Sequence, residues 1–305
     1  MDTPPLPGIS GTLARGERYR RPVSSPSRPV TVLDKPVVLS GLFAVWRDLD
    51  ELVGEFGDAQ WQTATSLPSW DVHDVISHVI GVESMLQGVD TPDADIDVSM
   101  LKHVRNDIGV MNERWVRKLR EASAAELLDN LRATTSERRK ALSDLSNSQW
   151  NDLTATPAGP DSYGRFMRVR IFDCWMHEHD IRDAVGQPAS AGDLVGPAAG
   201  LALDEMAASM GFVVGKLGGA PDGSRVSFEL TGPLGRTINV AVDGRAKVVD
   251  DFGDDDPTST IRLDGLLFTR LVGGRTPLAQ HADAIAYGGD EAVGRRVVEH
   301  LNYVI

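Results

Sequence analysis

Apolar residues recur at three- and four-residue spacings from Leu39 onward. In the run 39–56, Leu42, Val45, Trp46, Leu49, Leu52 and Val53 fall on one stripe, which predicts an amphipathic helix. A loop ending in Leu67-Pro68-Ser69-Trp70 leads to a second helix. Asp71 stands at its N-cap, Asp74 follows three residues on, and Val72, Val75, Ile76, Val79, Ile80 and Val82 make a broad apolar face. After a polar loop near 88–97, a long helical pattern covers Met100 to Leu119. Ala124 to Leu145, marked by Leu127, Leu128, Leu131 and Leu142, reads as a further helix or a continuation after a break. The segment 154–164 holds two prolines and two glycines and must be a loop. Helical periodicity returns over 165–185 and stops at Gly186, a C-terminal cap with Pro188 just beyond. Four long helices joined by loops predict an up-and-down four-helix bundle.

Beyond Pro188 the pattern changes. One more helix is expected over Gly196 to Leu217. Then RVSFELTG, RTINVAVDG, AKVV and TSTIRLDG alternate in the manner of strands, and GLLFTRLVGG and EAVGRRVVEHLNYV return to helical spacing. The fold class is therefore α plus α+β, with a helical bundle over 38–188 and a small mixed α+β domain over 189–305. Residues 1–37 read as a disordered tail, since the first 29 carry six of the 17 prolines, five arginines and little apolar pattern.

Composition narrows the function. The balance of 31 Lys and Arg against 44 Asp and Glu gives a net charge of −13, which disfavours nucleic acid and anionic lipid as partners. Cys174 is the only cysteine, so no internal disulfide or thiolate metal cluster forms, and a reducing, cytoplasmic setting fits. No signal peptide or spanning stretch is expected, and no glycine-rich nucleotide-binding motif occurs.

Among seven histidines, His73, His103, His281 and His300 lie in stretches that read as exposed helix or loop. His78 sits at the edge of the second helix's apolar face and points toward the bundle interior, a placement that equally suits a hydrogen-bonded core histidine. Asp173 and His177 stand four apart on one helix and project from the same face, as a metal-gripping pair or as a simple Asp–His contact. Together the three offer two nitrogens and one oxygen, the open set of a catalytic zinc site, which also suits other divalent metals such as iron or nickel. Asp180 is expected to support the ligands, His179 to do the same or to lie with Glu178 on a charged outer face, and Cys174 to pack in the core.

At these residues the strings LPSWDVHDVISHVIGVE, NERWVRKLREASAAELL and RVRIFDCWMHEHDIRDAVGQP resemble the mycothiol-dependent maleylpyruvate isomerase family, and the resemblance runs from about Leu39 to the C-terminus. It implies a DinB-like bundle followed by a sterol-carrier-like domain, zinc held by His78, Asp173 and His177, and mycothiol as the reactive thiol of an actinobacterial cytosol. It also implies an arginine of the C-terminal domain that binds the substrate carboxylate, with Arg275 in GGRTP as first choice and Arg270 as its rival. The family's isomerase carries glutamate where this chain has Asp173, a side chain one methylene shorter.

The expected function is a metal-dependent enzyme, isomerase or S-transferase, in which a small thiol adds to an electrophilic substrate. A protein of the same fold that binds a metal or a lipid without catalysis is the alternative. The chain is expected to act as a monomer or homodimer, with a small thiol and a small electrophile as its partners.

Overall fold

The computed structural model describes residues 29–304. In chain order, the helices and first strands are α1 (Lys35–Gly54), α2 (Asp58–Trp61), α3 (Val72–Leu86), α4 (Asp107–Leu119), α5 (Ala124–Asp144), α6 (Asn147–Trp150), the short pair β1 (Leu153–Thr154) and β2 (Asp161–Ser162), α7 (Tyr163–Val185) and α8 (Pro197–Phe212). A sheet follows with β3 (Arg225–Thr231), β4 (Arg236–Asp243), β5 (Arg245–Val249) and β6 (Ser259–Asp264), then α9 (Gly265–Val272), β7 (Ala286–Gly289) and α10 (Glu291–Glu299).

α1 and α3 each pack between α5 and α7, which closes the expected four-helix arrangement, and α4 lies outside this ring against α3. The helix expected from Met100 begins only at Asp107. Val98–Met100 is a short 3-10 turn, and the Asn106 side chain accepts the Gly109 N–H and caps the true start. α5 is a separate helix with its own capping box, built from Ser123 and Glu126.

The tail expected over 1–37 lies outside the described residues as far as 28, and beyond that point the expectation is corrected. The Thr31 N–H and hydroxyl donate to Asp161 at 2.6 and 3.0 Å, and the Trp150 indole donates to the Leu33 carbonyl. Asp34 caps α1 at Lys35, four residues before the expected start at Leu39. Polar anchors hold this short extended segment, and an apolar-periodicity reading is blind to them.

The sheet order is β5-β4-β3-β6-β7, antiparallel except for the parallel β3–β6 pair. In register, Phe228 faces Ile238 on one side and Ile261 on the other, so Val226, Phe228, Leu230, Ile238, Val240 and Leu263 share a single buried face. The opposite face carries Glu229, Thr237 and Arg262. The periodicity reading did not include β7, a strand of four residues whose sequence, AYGG, has no apolar alternation.

α8 belongs to both halves. It packs on α7 and α1 on one side and on β4 and β5 on the other. By length and composition the stretch Pro197–Leu217 would pass as a membrane span, but 56% of its apolar window is buried inside the protein, as befits a core helix.

Candidate metal centre

Two helices bring the expected donors together. α3 starts at a reciprocal cap in which Asp71 accepts the Asp74 N–H and Asp74 accepts the Asp71 N–H, and Arg120 clamps Asp74 at 2.7 and 2.8 Å. This fixes the start of the helix that carries His78. α7 runs from its Ser162 cap to the left-handed Gly186, and Arg170, Asp173, His177 and Asp180 lie along it at spacings of three, four and three, a single stripe. His78 Nε2 stands 3.1 Å from Asp173 Oδ2, His177 Nε2 stands 3.6 Å from Asp173 Oδ1, and one donor atom from each residue lies within 4.8 Å of the others.

The surroundings orient these three side chains. His177 Nδ1 is 3.1 Å from Asp180 Oδ2, and the Asp180 side chain is fully buried. Burial alone would raise the Asp180 carboxyl, but His177 and Arg275 hold it well below the usual range, so it is an ionised acceptor. The His177 Nδ1–H then donates to Asp180, which directs Nε2 of the same ring toward Asp173. Burial would likewise raise Asp173, yet Arg170, His78 and His177 keep it well below the carboxylate range. Arg170 donates to Asp173 and, through Nε, to the fully buried Glu83, which Arg138 also holds at 2.8 Å. Burial pushes the His78 imidazole down, against the pull of Asp173.

An indole covers the imidazole side. Ser69 adopts φ 69°, the only left-handed non-glycine among the described residues, and turns Trp70 over His78 and His177 with ring centroids 5.3 and 6.4 Å away. The Trp70 Nε1–H donates to Glu113 at 3.0 Å, and His103 Nε2 lies 3.1 Å from the same oxygen. The Asp173 side chain, 31% exposed, forms the open side of the cluster.

A divalent cation fits these donors. Ligands at about 2.0–2.2 Å in a tetrahedron stand roughly 3.3–3.6 Å apart; the two contacts to Asp173, at 3.1 and 3.6 Å, are close to that spacing, while the whole donor set spreads to 4.8 Å and would draw in around one cation. Both imidazoles turn an Nε2 toward the partly exposed Asp173 carboxylate, so the three donors converge from two helices on one side of the cluster.

Other expectations fall elsewhere. Arg275 donates in a fork to Asp180, through Nε at 3.0 Å and Nη2 at 2.9 Å, and through Nη1 to the Gly273 carbonyl, so its nitrogens are engaged within the protein. Its rival Arg270 donates to the His179 carbonyl at 3.1 Å and pairs with Asp183. The Asp180 carboxylate contacts His177, whereas the His179 ring packs on Trp175 at 4.2 Å, and burial drives its pKa to about 3. Glu178 is not on a charged outer face. It is buried and paired with Arg182, because α8 and the segment before it cover that side of α7. His103 is likewise no surface histidine but part of the Glu113 contact. Arg170, Glu83 and Glu113 were not singled out from the sequence. The three-residue step from Arg170 to Asp173 was the available signal for the first, while Glu113 joins the site only through its tertiary contact with Trp70.

Comparison with known proteins gives a consistent result. Residues 42–182 match the Mycothiol maleylpyruvate isomerase N-terminal domain, and residues 200–296 match the C-terminal domain of the same family. No curated protein matches the chain. Two solved structures are similar over 84% of this chain and 93% of their own. One is the mycothiol-dependent maleylpyruvate isomerase, at 17% identity and a TM-score of 0.54. The other is a histidine-to-alanine mutant of that enzyme, at 14% identity and a TM-score of 0.55.

Proposed function

Since the chain belongs to the mycothiol maleylpyruvate isomerase family, with both of that family's domains in order, we propose that it is a thiol-dependent enzyme working at a divalent metal held by His78, Asp173 and His177. The observation that carries this reading is the convergence of His78 Nε2 and His177 Nε2 on the partly exposed Asp173 carboxylate, at 3.1 and 3.6 Å, with Asp180 and Arg170 holding His177 and Asp173 in place. A bound divalent cation, zinc by the donor set, supplies Lewis-acid stabilisation of a small thiolate and so makes the thiol nucleophilic at neutral pH.

The chain's own residues prepare that chemistry. Asp180 holds the Nδ1 side of the His177 ring, and Arg170 offsets the charge of Asp173. Trp70 keeps water from the imidazole face, so thiol and substrate approach from the side of Asp173. The protein's own sulfur is not the nucleophile: Cys174 is fully buried, and burial pushes its thiol up to about 12, so it stays protonated and out of reach. The family's reaction class, cis–trans isomerisation of an unsaturated dioate by reversible thiol addition, is the activity we assign, with mycothiol as the thiol. A lipid-carrier role for the second half has less support, since Phe228 and Phe268 fill the space between sheet and α9 at 5.9 Å, and Leu271 and Val272 of the GLLFTRLVGG stretch are buried beside them.

The test is metal analysis of untagged protein, followed by assays on maleylpyruvate and a panel of electrophiles with and without mycothiol. Turnover is expected only with thiol and metal together. Protein purified without metal, or turnover that persists without thiol, would overturn the reading. The electrophile panel separates isomerisation from thiol transfer.

A further inference from the structure

The three donors all lie on α3 and α7, yet the carboxylate that orients His177 is itself gripped from the other half of the molecule. The segment after α9 passes so close to α7 that a Cβ at Gly273 would stand 2.5 Å from Met176 Cε, and Gly274 takes φ 66°, which only glycine adopts without strain. This tight docking delivers Arg275. Its backbone N–H bonds the Arg270 carbonyl at 2.8 Å, its Nη1 bonds the Gly273 carbonyl at 2.6 Å, and Nε and Nη2 fork onto the two oxygens of Asp180. Asp180 is then left with His177 Nδ1 as its remaining side-chain hydrogen-bond partner, and Arg270 Nη1 stands 3.8 Å away.

We infer that Arg275 is a positioning residue for the metal centre: through Asp180 it locks the ring orientation of His177, so the docked C-terminal half sets the metal affinity of a site whose donors all belong to the N-terminal half. The inference rests on the metal reading above. A carboxylate held bidentately by one guanidinium has a single orientation, and an imidazole hydrogen-bonded to it inherits that orientation. Free of Arg275, the buried Asp180 can rotate, and the His177 ring loses its fixed partner on Nδ1. A substrate-binding arginine would instead present free nitrogens to the open side.

The experiment uses the full chain and Zn2+ itself, competed against a chromophoric chelator, in the wild type, Arg275→Met, Arg275→Lys, Asp180→Asn and the double variant Asp180→Asn/Arg275→Met. Arg275→Met is expected to weaken Zn2+ binding by about 10- to 100-fold, the range typical of such supporting groups. Lysine, which keeps the charge but not the fork, should restore part of the loss. The double variant should bind no more weakly than Asp180→Asn alone, because both changes cut one chain of contacts. It also removes the lone buried charge that could unfold Arg275→Met. Long-range 15N–1H spectra of the zinc-free chain should show a fixed Nδ1-bound proton on His177 in the wild type and an averaged Nδ1 signal in Arg275→Met. Unchanged Zn2+ affinity in Arg275→Met with only a raised KM, additive losses in the double variant, or an unchanged Nδ1 signal would each overturn the inference. A wild type that binds no Zn2+ sinks the metal reading instead, and the 15N spectra still decide the role of Arg275.

Discussion

α7 carries two buried charged clusters, and they differ in a way that separates architecture from chemistry. Near its start, Arg165 and Arg168 converge on Glu205 of α8, each with a contact of 2.8 Å, and Arg165 also reaches Asp161 at 2.8 Å. Every contact there joins a donor to an acceptor, and the result fastens α8 to the bundle. Further along the same helix, His177 Nε2 stands 3.6 Å from Asp173 Oδ1, outside hydrogen-bond distance, and the carboxylate is 31% exposed. A buried cluster whose donors and acceptors are all matched within the protein is a fastener, and one whose imidazoles converge on a carboxylate open to solvent is a candidate site. Burial alone does not tell them apart, since Glu205 at 4% exposure and His177 at 6% are alike.

The comparison can be broken at either end. The largest effect is expected at the site: His177→Ala should reduce bound divalent metal from about one equivalent per chain to a trace, while circular dichroism stays native. Full metal content in that variant would remove His177 from the ligand set. Asp173→Glu should keep the metal, because the longer side chain still offers a carboxylate oxygen.

At the fastener the effect goes the other way. Glu205→Ala leaves two arginines without their shared buried partner and should cost about 3–5 kcal/mol of stability, measured by urea unfolding, with metal content per folded chain unchanged. A stability equal to the wild type would show that the cluster is ornamental. Acid should sharpen the same contrast. Burial would raise the Asp161 carboxyl, but Arg165, Thr31 and Ser162 hold it down at about 2, below its ordinary 3.8. The unfolded chain therefore takes up the proton first, so this contribution is fully present above about pH 4 and is lost as pH falls toward 2. Urea midpoints of the wild type should drop across that window more steeply than those of Asp161→Asn, and parallel profiles would refute the assignment.

The smallest effect is expected at Cys174, next to Asp173 but turned into the core. Cys174→Ala should lower stability by roughly 1 kcal/mol and leave the metal content intact, and in the wild type the thiol should react with alkylating reagents only on unfolding. Rapid labelling of the native protein would contradict its burial.

What could be read from the chain alone follows a physical divide. Helix periodicity, the Asp71 cap, the Gly186 stop and strand alternation are local, since they depend on residues within a turn or two of one another, and they place α1, α3, α5, α7 and β3–β6 within a few residues of their ends. The Asp173–His177 pair is local too, a single turn on one helix. The pairing of His78 with them spans 95 positions and was legible only because both helices had apolar faces that had to meet. Contacts of polar groups across the fold carry no periodic signature. The hold of Arg275 on Asp180, Arg170 shared between Glu83 and Asp173, Trp70 tethered to Glu113, and Thr31 pinned to Asp161 all arise from where packing brings the helices. The sequence by itself determined which side chains could bind a cation, through donor chemistry and helical phase. Only the tertiary structure decided how those donors are oriented, because the groups that aim them come from elements far apart along the chain, and the burial that makes those contacts strong exists only once the chain has folded.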